Sequence, residues 1–298
     1  MKRIHIEVLI FVFATGLGAV LIAYWAWRQG GLAVVPAAPL LMMMTPALVA
    51  LIMTKAQRGS IRQEDGLGLR MRGWKQALLA MVAMSGLTGL SVGLSLLFFE
   101  SLRAPVEEAV THVMLPMDLA PSVKIALALV VTALVGPIVN LPFMLGEELG
   151  WRGYMAPRLR EIFGRFGAVV GGVIWGAWHW PAILLLGYNY QDARFTGALL
   201  FPLICIALSV LFTRAREASG TVLAPALMHG ALNQTATAAV VILYVQDRFN
   251  PLIQAPTGLL MIATLTVPAL WAYQGLRGRD GQPNRGTRPR GATSASQP

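Results

Sequence analysis

The sequence predicts an all-α, polytopic membrane protein: a bundle of about eight transmembrane helices with a polar cavity inside the membrane. Two observations predict the bundle. The chain is 56% hydrophobic with only 13% charged residues, and its apolar residues form segments long enough to cross a hydrocarbon core of about 30 Å. A third observation predicts the cavity, because ionisable side chains lie in or beside these segments, where they mark functional sites.

The apolar segments are expected, to within a few residues, at about 8–27, 33–54, 76–99, 125–146, 167–187, 197–213, 221–245 and 257–275. The second contains Pro36, Pro39 and Pro46 and should be kinked or broken near its start. The first follows a basic N-terminus but has no convincing cleavage site after it. This favours a retained helix over a signal peptide.

The basic residues lie between the apolar segments. Most of the 24 Lys and Arg residues fall at the N-terminus, in alternate connections and in the C-terminal tail. By the positive-inside rule this predicts cytoplasmic termini. The same distribution argues against nucleic acid as a partner, because basic and aromatic residues are not interleaved on one soluble face.

Two units are expected: a transmembrane helical domain at 1–276, with its motif core at about 140–235, and a disordered basic tail at 277–298. The connection 55–75 is strongly basic and should contact anionic lipid headgroups. Cys205, the one cysteine, is expected to be a small buried hydrophobe. Arg-rich, Ala- and Gly-rich composition indicates a bacterial cytoplasmic membrane.

The first motif, Glu147-Glu148-x-x-x-Arg152, ends the fourth segment. On a helix, Glu148 and Arg152 have the favoured spacing and order for an ion pair, and Glu147 is rotated by about 100° toward other partners. Adjacent carboxylates in a low-dielectric site suit general acid–base catalysis. Arg152 would keep Glu148 ionised and leave Glu147 for chemistry. The alternative is a solvated cap at the cytoplasmic end of the segment.

The second motif places Trp175 and His179 one turn apart on a helix. Glycines at positions 167, 171, 172 and 176 have the spacing that lets another helix approach closely. An imidazole at such a contact can share a proton or a water. Its alternative is a histidine that only makes an interhelical hydrogen bond.

The third motif, His229-x-x-x-Asn233, places two hydrogen-bond donors on one helix face, as an oxyanion site needs. Its alternative is polar contact between helices, which is common in membrane bundles. The three motifs are expected to converge in one cavity whose mouth faces the cytoplasm. The other histidines, His5 and His112, lie in a terminus and a connection and need no special role.

The ordered set of Glu-Glu-x-x-x-Arg, aromatic-x-x-x-His and His-x-x-x-Asn resembles the CPBP family of intramembrane glutamic proteases. This family includes the CAAX prenyl-protein endopeptidases and bacterial homologues linked to bacteriocin self-immunity and processing. The motifs occupy roughly residues 140–235. One departure is Trp175, where the family commonly has Phe, and packing is the role expected of that position.

The resemblance implies a catalytic set of Glu147, His179, His229 and Asn233. Glu147 and His179 would activate a water that attacks the scissile carbonyl, and His229 and Asn233 would stabilise the oxyanion. Glu148, Arg152 and Trp175 would support them. The implied substrate is a membrane-associated protein or peptide.

Other functions stay open on the sequence. No cofactor is expected, but two histidines and two glutamates could ligate zinc, although the His-Glu-x-x-His signature is absent. A family member could serve as a non-proteolytic binding or immunity protein. A small transporter with a proton-relay carboxylate is the third class, and the scarcity of other intramembrane charges argues against it.

Overall fold

The computed structural model describes residues 3–63, 66–113 and 118–278. The described residues are 80% helical and contain no strand, with an isolated bridge between Arg103 and Tyr244. The expected all-α fold is confirmed. The predicted disordered tail lies, from residue 279 onward, outside the described residues.

The helices follow one another along the chain, with short helical turns at their junctions. They are α1 (Arg3–Arg28), α2 (Ala38–Ala56), α3 (Trp74–Phe98), α4 (Pro121–Leu134), α5 (Leu141–Glu148), a π-helix (Leu149–Met155), α6 (Ala156–Phe163), α7 (Gly167–Trp178), α8 (Trp180–Leu186), α9 (Arg194–Ser219), α10 (Leu223–Leu243) and α11 (Leu259–Gln274). The turns are Gly31–Ala33, Glu100–Leu102, Val106–Ala109, Val110–His112, Gly136–Val139, Gly164–Phe166, Gln191–Ala193 and Gln246–Arg248.

The described helices agree with a bundle of about eight crossings. Seven helical stretches are long and apolar enough to span a membrane, and α11 is a shorter apolar helix. One of the seven, Leu141–Leu186, contains α5 to α8 and the π-helix between them. The difference between seven and eight is α11, which lies at the eighth expected segment but is shorter than the other spans.

Proline and glycine explain where the helices depart from the expected segments. The second segment becomes regular helix only at Ala38, and residues 31–33 form a separate turn, so the expected break near its start is confirmed. The fourth is divided between α4 and α5. Gly136, Pro137 and Pro142 lie at this division, where each weakens or removes helical backbone hydrogen bonding.

The outer surface of the bundle is apolar, as a lipid-facing surface must be. Phe13 is 72% exposed and Trp271 is 75% exposed. In the stretch Pro121–Val139, only 6% of the most apolar window is buried. Contact of such a continuous apolar surface with water is unfavourable, whereas lipid tails in a membrane would cover it.

The connections gather at two ends of the bundle in strict alternation. At one end, Arg158 of α6 hydrogen-bonds Glu7 of α1 at 2.9 Å and Gln57 after α2 at 2.8 Å. Arg160 reaches Glu217 of α9 at 3.2 Å. We call this end the basic end.

The other connections meet at the opposite end. The Ala104 backbone N–H donates to Leu243 at the end of α10 at 2.9 Å, and the Tyr190 hydroxyl donates to the Thr257 carbonyl at 2.8 Å. Successive connections therefore lie at alternate ends of the bundle, as the distribution of basic residues in the sequence predicts.

Helix α10 lies at the centre of the bundle. It begins at the basic end beside the start of α3, where the Val222 N–H donates to the Gly68 carbonyl at 3.1 Å. The α4–α5 stretch runs antiparallel to it, since Ile125 packs near Ile242 and Pro137 lies against Gly230. This arrangement brings the end of α5 to the start of α10, where the first and third motifs meet.

Candidate active site

A cavity of about 790 Å³ lies within the bundle between α2, α5, α7, α9 and α10, and we call it the first cavity. Glu147, His179, His229 and Asn233 all line it. The three motifs, far apart in sequence, therefore converge on one space. The catalytic roles given to these four side chains stay predictions.

Glu147 is held on one side and open on the other. It is 2% exposed, and its Oε2 accepts the indole N–H of Trp175 at 2.6 Å and that of Trp151 at 3.0 Å. Among the described residues no side chain hydrogen-bonds its Oε1. A carboxylate fixed through one oxygen leaves the second for a water or a substrate in the cavity.

The two tryptophans correct the expectation for the second motif. Trp175 was expected only to pack, but its indole N–H is a hydrogen-bond donor to the candidate base, which the family's usual Phe cannot be. Trp151 was not predicted as a site residue. Its position one turn after Glu147 was the available signal, since residues four apart on a helix meet.

Glu148 is at the centre of a second polar cluster with Arg152 and His229. It is 0% exposed, and its Oε1 accepts both the Arg152 Nη1–H at 3.0 Å and a hydrogen bond from His229 Nδ1 at 3.0 Å. The Arg152 guanidinium also stacks on the Trp175 ring at 4.3 Å. This burial excludes the alternative of a solvated cap.

His179 has a defined tautomer when neutral. Its Nδ1 lies 2.8 Å from the Trp175 carbonyl oxygen, and because a carbonyl oxygen only accepts, Nδ1 must carry the proton. The lone pair is then on Nε2. The ring is held by edge contacts with Trp178 and Phe201, each at 4.8 Å between centroids. His179 can therefore accept a proton at Nε2, because its Nδ1–H already donates to the Trp175 carbonyl.

Asn233 has only a weak partner. Its Nδ2 donates to the thioether sulfur of Met144 at 3.7 Å, and a thioether is a poor acceptor. The amide therefore loses little by turning its donor to an oxyanion in the cavity.

The glycines of α7 determine how closely the second motif packs against α9. A Cβ at Gly172 would overlap the backbone of Ile206, and one at Gly176 would overlap Pro202. Only glycine permits this contact between α7 and α9, as the sequence predicts. The close packing fixes His179, which directly follows α7, at the cavity wall.

The mouth of this cavity was expected at the basic end of the bundle, and the structure places it elsewhere. Gly146 to Met155 are all buried, since Trp151 packs against Phe11 of α1 and Gly150 against Pro46 of α2. The chain beyond the first motif thus closes the basic end. Sequence position placed the motif near that end but could not show that the π-helix covers it.

The mouth instead lies at the opposite end of the bundle. The residues that line it there are Leu32, Tyr188, Asn189, Asp192, Gln246 and Thr257. Burial raises the pKa of the Tyr188 phenol to about 12, with a smaller contribution from the Glu147 charge. The phenol is therefore a neutral hydrogen-bonding group at neutral pH.

The described side chains form no group of three or more His, Cys, Asp and Glu residues that could hold a metal ion. The geometry shows why, because Glu147 and Glu148 have separate partners rather than a shared centre. Cys205 is buried and also lines the first cavity. Its burial agrees with the expected small hydrophobe.

Comparison with known proteins supports the motif assignment. The family model of the Rce1-like type II CAAX prenyl endopeptidases matches residues 121–235, a range that contains all three motifs. No curated protein matches the chain. The match and the three motifs agree, and both support the resemblance of residues 121–235 to the CPBP, or CAAX protease-like, family of membrane proteins.

Proposed function

We propose that the protein is an intramembrane endopeptidase that hydrolyses a peptide bond of a membrane-associated protein or peptide. The observation that carries this proposal is Glu147. It is a buried carboxylate, fixed by two indole donors, with an oxygen available to the cavity that His179 also lines. The match of residues 121–235 to the type II CAAX prenyl endopeptidase family model supports the reaction class.

In the proposed reaction, Glu147 and the Nε2 of His179 bind and deprotonate a water. The hydroxide attacks the scissile carbonyl, and the proton passes to the leaving amine. General acid–base groups positioned in this way contribute about 10²–10⁴-fold each.

His229 and Asn233 would stabilise the oxyanion that forms. Because His229 uses Nδ1 toward Glu148, it can donate through Nε2 only when the ring is doubly protonated. Glu148 is the counter-anion for that state and Arg152 orients Glu148, which explains why these supporting residues are needed.

A proteomic comparison tests the function and finds the substrate. Membranes of cells with the wild-type protein are compared with those of cells carrying Glu147→Ala. A full-length protein should accumulate only in the variant. The exposed Glu107 provides the matched control, and Glu107→Ala should behave as wild type. Equal accumulation in the two variants would contradict the proposal.

Two alternatives have distinct outcomes in the same cells. A non-proteolytic binding or immunity protein would keep its biological activity in Glu147→Gln, which preserves shape and removes the base. A zinc enzyme would lose cleavage on addition of a strong chelator and regain it with zinc. The proposed metal-independent reaction is unaffected by the chelator.

We further propose that the substrate enters from the face of the membrane opposite the basic end, because the mouth of the first cavity lies there. With the basic end in the cytoplasm, as the positive-inside rule predicts, this is the external face of a bacterial cytoplasmic membrane. The substrate would then enter from the face of the membrane opposite to both termini.

Side-specific labelling tests this orientation. Asp192 and Arg72 are both exposed, Asp192 at the mouth and Arg72 at the basic end, and the one native cysteine is buried. A membrane-impermeant maleimide should label Asp192→Cys in intact cells and Arg72→Cys only after lysis. The reverse pattern would place the mouth in the cytoplasm.

A further inference from the structure

A second cavity, of about 660 Å³, lies at the basic end on the far side of the first motif. Its walls come from the start of α1, from α6, from the end of α9 and from the chain after α11. Three glutamates line it together with six arginines, which are Arg3, Arg152, Arg158, Arg160, Arg216 and Arg277. The cavity therefore has a formal excess of positive charge.

The glutamates are shared among the arginines. Glu7 accepts both Arg3 and Arg158, each at 2.9 Å. Glu217 accepts Arg160 at 3.2 Å and also the Arg277 backbone N–H at 3.0 Å. Glu7 and Glu217 thus serve two donors each, and the arginines that line the cavity outnumber its carboxylates.

Arg152 connects this cavity to the motif. It is 2% exposed, its Nη1 binds Glu148, and its Nη2 has no hydrogen-bond partner among the described residues. A buried charged donor without a partner is costly. Arg152 lines the second cavity, so an anion bound there is the partner that the geometry can supply.

The cavity also lies at the depth expected of lipid headgroups. Phe163 and Phe166, at the turn after α6, are 43% and 53% exposed, and Arg165 lies between them. Exposed aromatic residues beside basic residues are typical of a membrane–water interface. Lipid phosphates occupy the same level.

We propose that the second cavity binds a phosphate group through Arg3, Arg152 and Arg160, carried by an anionic phospholipid or free in solution. Guanidinium groups pair with phosphate oxygens through two parallel hydrogen bonds. A phosphate here would hold Arg152 from the side away from Glu148. This binding site goes beyond the proposed peptidase and does not depend on it.

Binding is measured on the purified full chain in nanodiscs of phosphatidylcholine, with either phosphatidylglycerol or inorganic phosphate added. The double variant Arg3→Gln/Arg160→Gln removes two contacts at the cavity. It should bind the active ligand at least about tenfold more weakly than wild type, since hydrogen bonds to charged groups are worth at least that much. The control is Arg72→Gln, which removes a positive charge from the basic end outside the cavity.

A third variant changes binding in the opposite direction. Glu161 lines the cavity and is exposed, so Glu161→Gln should strengthen binding, and it keeps the test valid if the double variant does not fold. A response to phosphatidylglycerol alone identifies a lipid site, and a response to inorganic phosphate identifies a free-phosphate site. Equal weakening in Arg72→Gln, or no effect of Glu161→Gln, would overturn the proposal.

Discussion

The first and second cavities lie on opposite sides of the first motif, residues 147–152, and they differ in chemistry. The first opens away from the basic end and is lined by apolar and aromatic side chains together with many polar ones, most of which are uncharged. The second opens at the basic end and is lined mainly by arginine and glutamate. Glu147 lines only the first cavity and Arg152 only the second.

This difference shows how a short helical motif serves two surfaces. Glu147 and Glu148 are adjacent in sequence but rotated apart, so one contacts indoles and the other contacts Arg152 and His229. The Glu148–Arg152 pair is the wall between the cavities. Substitutions in that wall, in its neighbours and at the mouth test this division.

The largest effect on stability is expected from Glu148→Ala. It leaves the buried Arg152 without its anion, and breaking such a pair from one side costs about 3–5 kcal/mol. Denaturant unfolding of the purified protein in detergent measures this. The exposed pair Glu100–Arg103, at 3.8 Å, is the control, and Glu100→Ala should cost about 0–1 kcal/mol. Similar losses of unfolding free energy in both variants would contradict a structural role for the buried Glu148–Arg152 pair.

A smaller loss is expected where α7 meets α9 beside the first cavity. Gly172→Ala drives a methyl group into the backbone of Ile206, and such overpacking costs about 1–3 kcal/mol. Gly86→Ala is the matched control, because nothing lies within 4 Å of a Cβ there. Thermal unfolding compares the two, and equal melting temperatures would show that α7 is free to shift.

Trp175→Phe tests the indole donor to Glu147. Peptidase activity should fall by about fivefold, as loss of about 1 kcal/mol implies, because Trp151 still holds the carboxylate. The rate of substrate loss in reconstituted membranes measures it. Trp27→Phe, at an exposed position, should leave the rate unchanged. A rate in Trp175→Phe equal to that of the wild type would show that Trp175 contributes only packing.

The smallest effect concerns the mouth at high pH. Burial raises the pKa of Tyr188 to about 12, whereas an unfolded tyrosine titrates near 10. The stability that this neutral phenol supports is present below about pH 10 and is lost as pH rises toward 12. Tyr188→Phe should reduce the alkaline loss of stability by about 1 kcal/mol, and Tyr24→Phe should not. An unchanged alkaline loss in Tyr188→Phe would contradict a buried phenol.

Spacing predicted the contacts made within one helix. Glu148 with Arg152, Trp175 with His179, and the glycine face of α7 all follow from helical geometry alone. The apolar segments likewise indicated the bundle and the alternation of its ends, because lipid exposure and charge act on the sequence directly.

Contacts between helices were beyond such reasoning. Nothing in the spacing showed that Trp175, from a different helix, donates to the same oxygen of Glu147 as Trp151. Nor did it show that residues 149–155 are buried under α1 and α2 and close the basic end. The mouth was therefore predicted at the wrong end of the bundle, since the position of a residue along a helix does not reveal which neighbouring helices cover that residue.

The proposed mechanism requires Glu147 and His179 to activate water in the first cavity. The most direct test is the cleavage rate of the accumulating protein by purified, reconstituted wild type, Glu147→Gln and His179→Ala. Each variant should be slower by about 10²–10⁴-fold while remaining folded. Full activity in both variants would contradict the account.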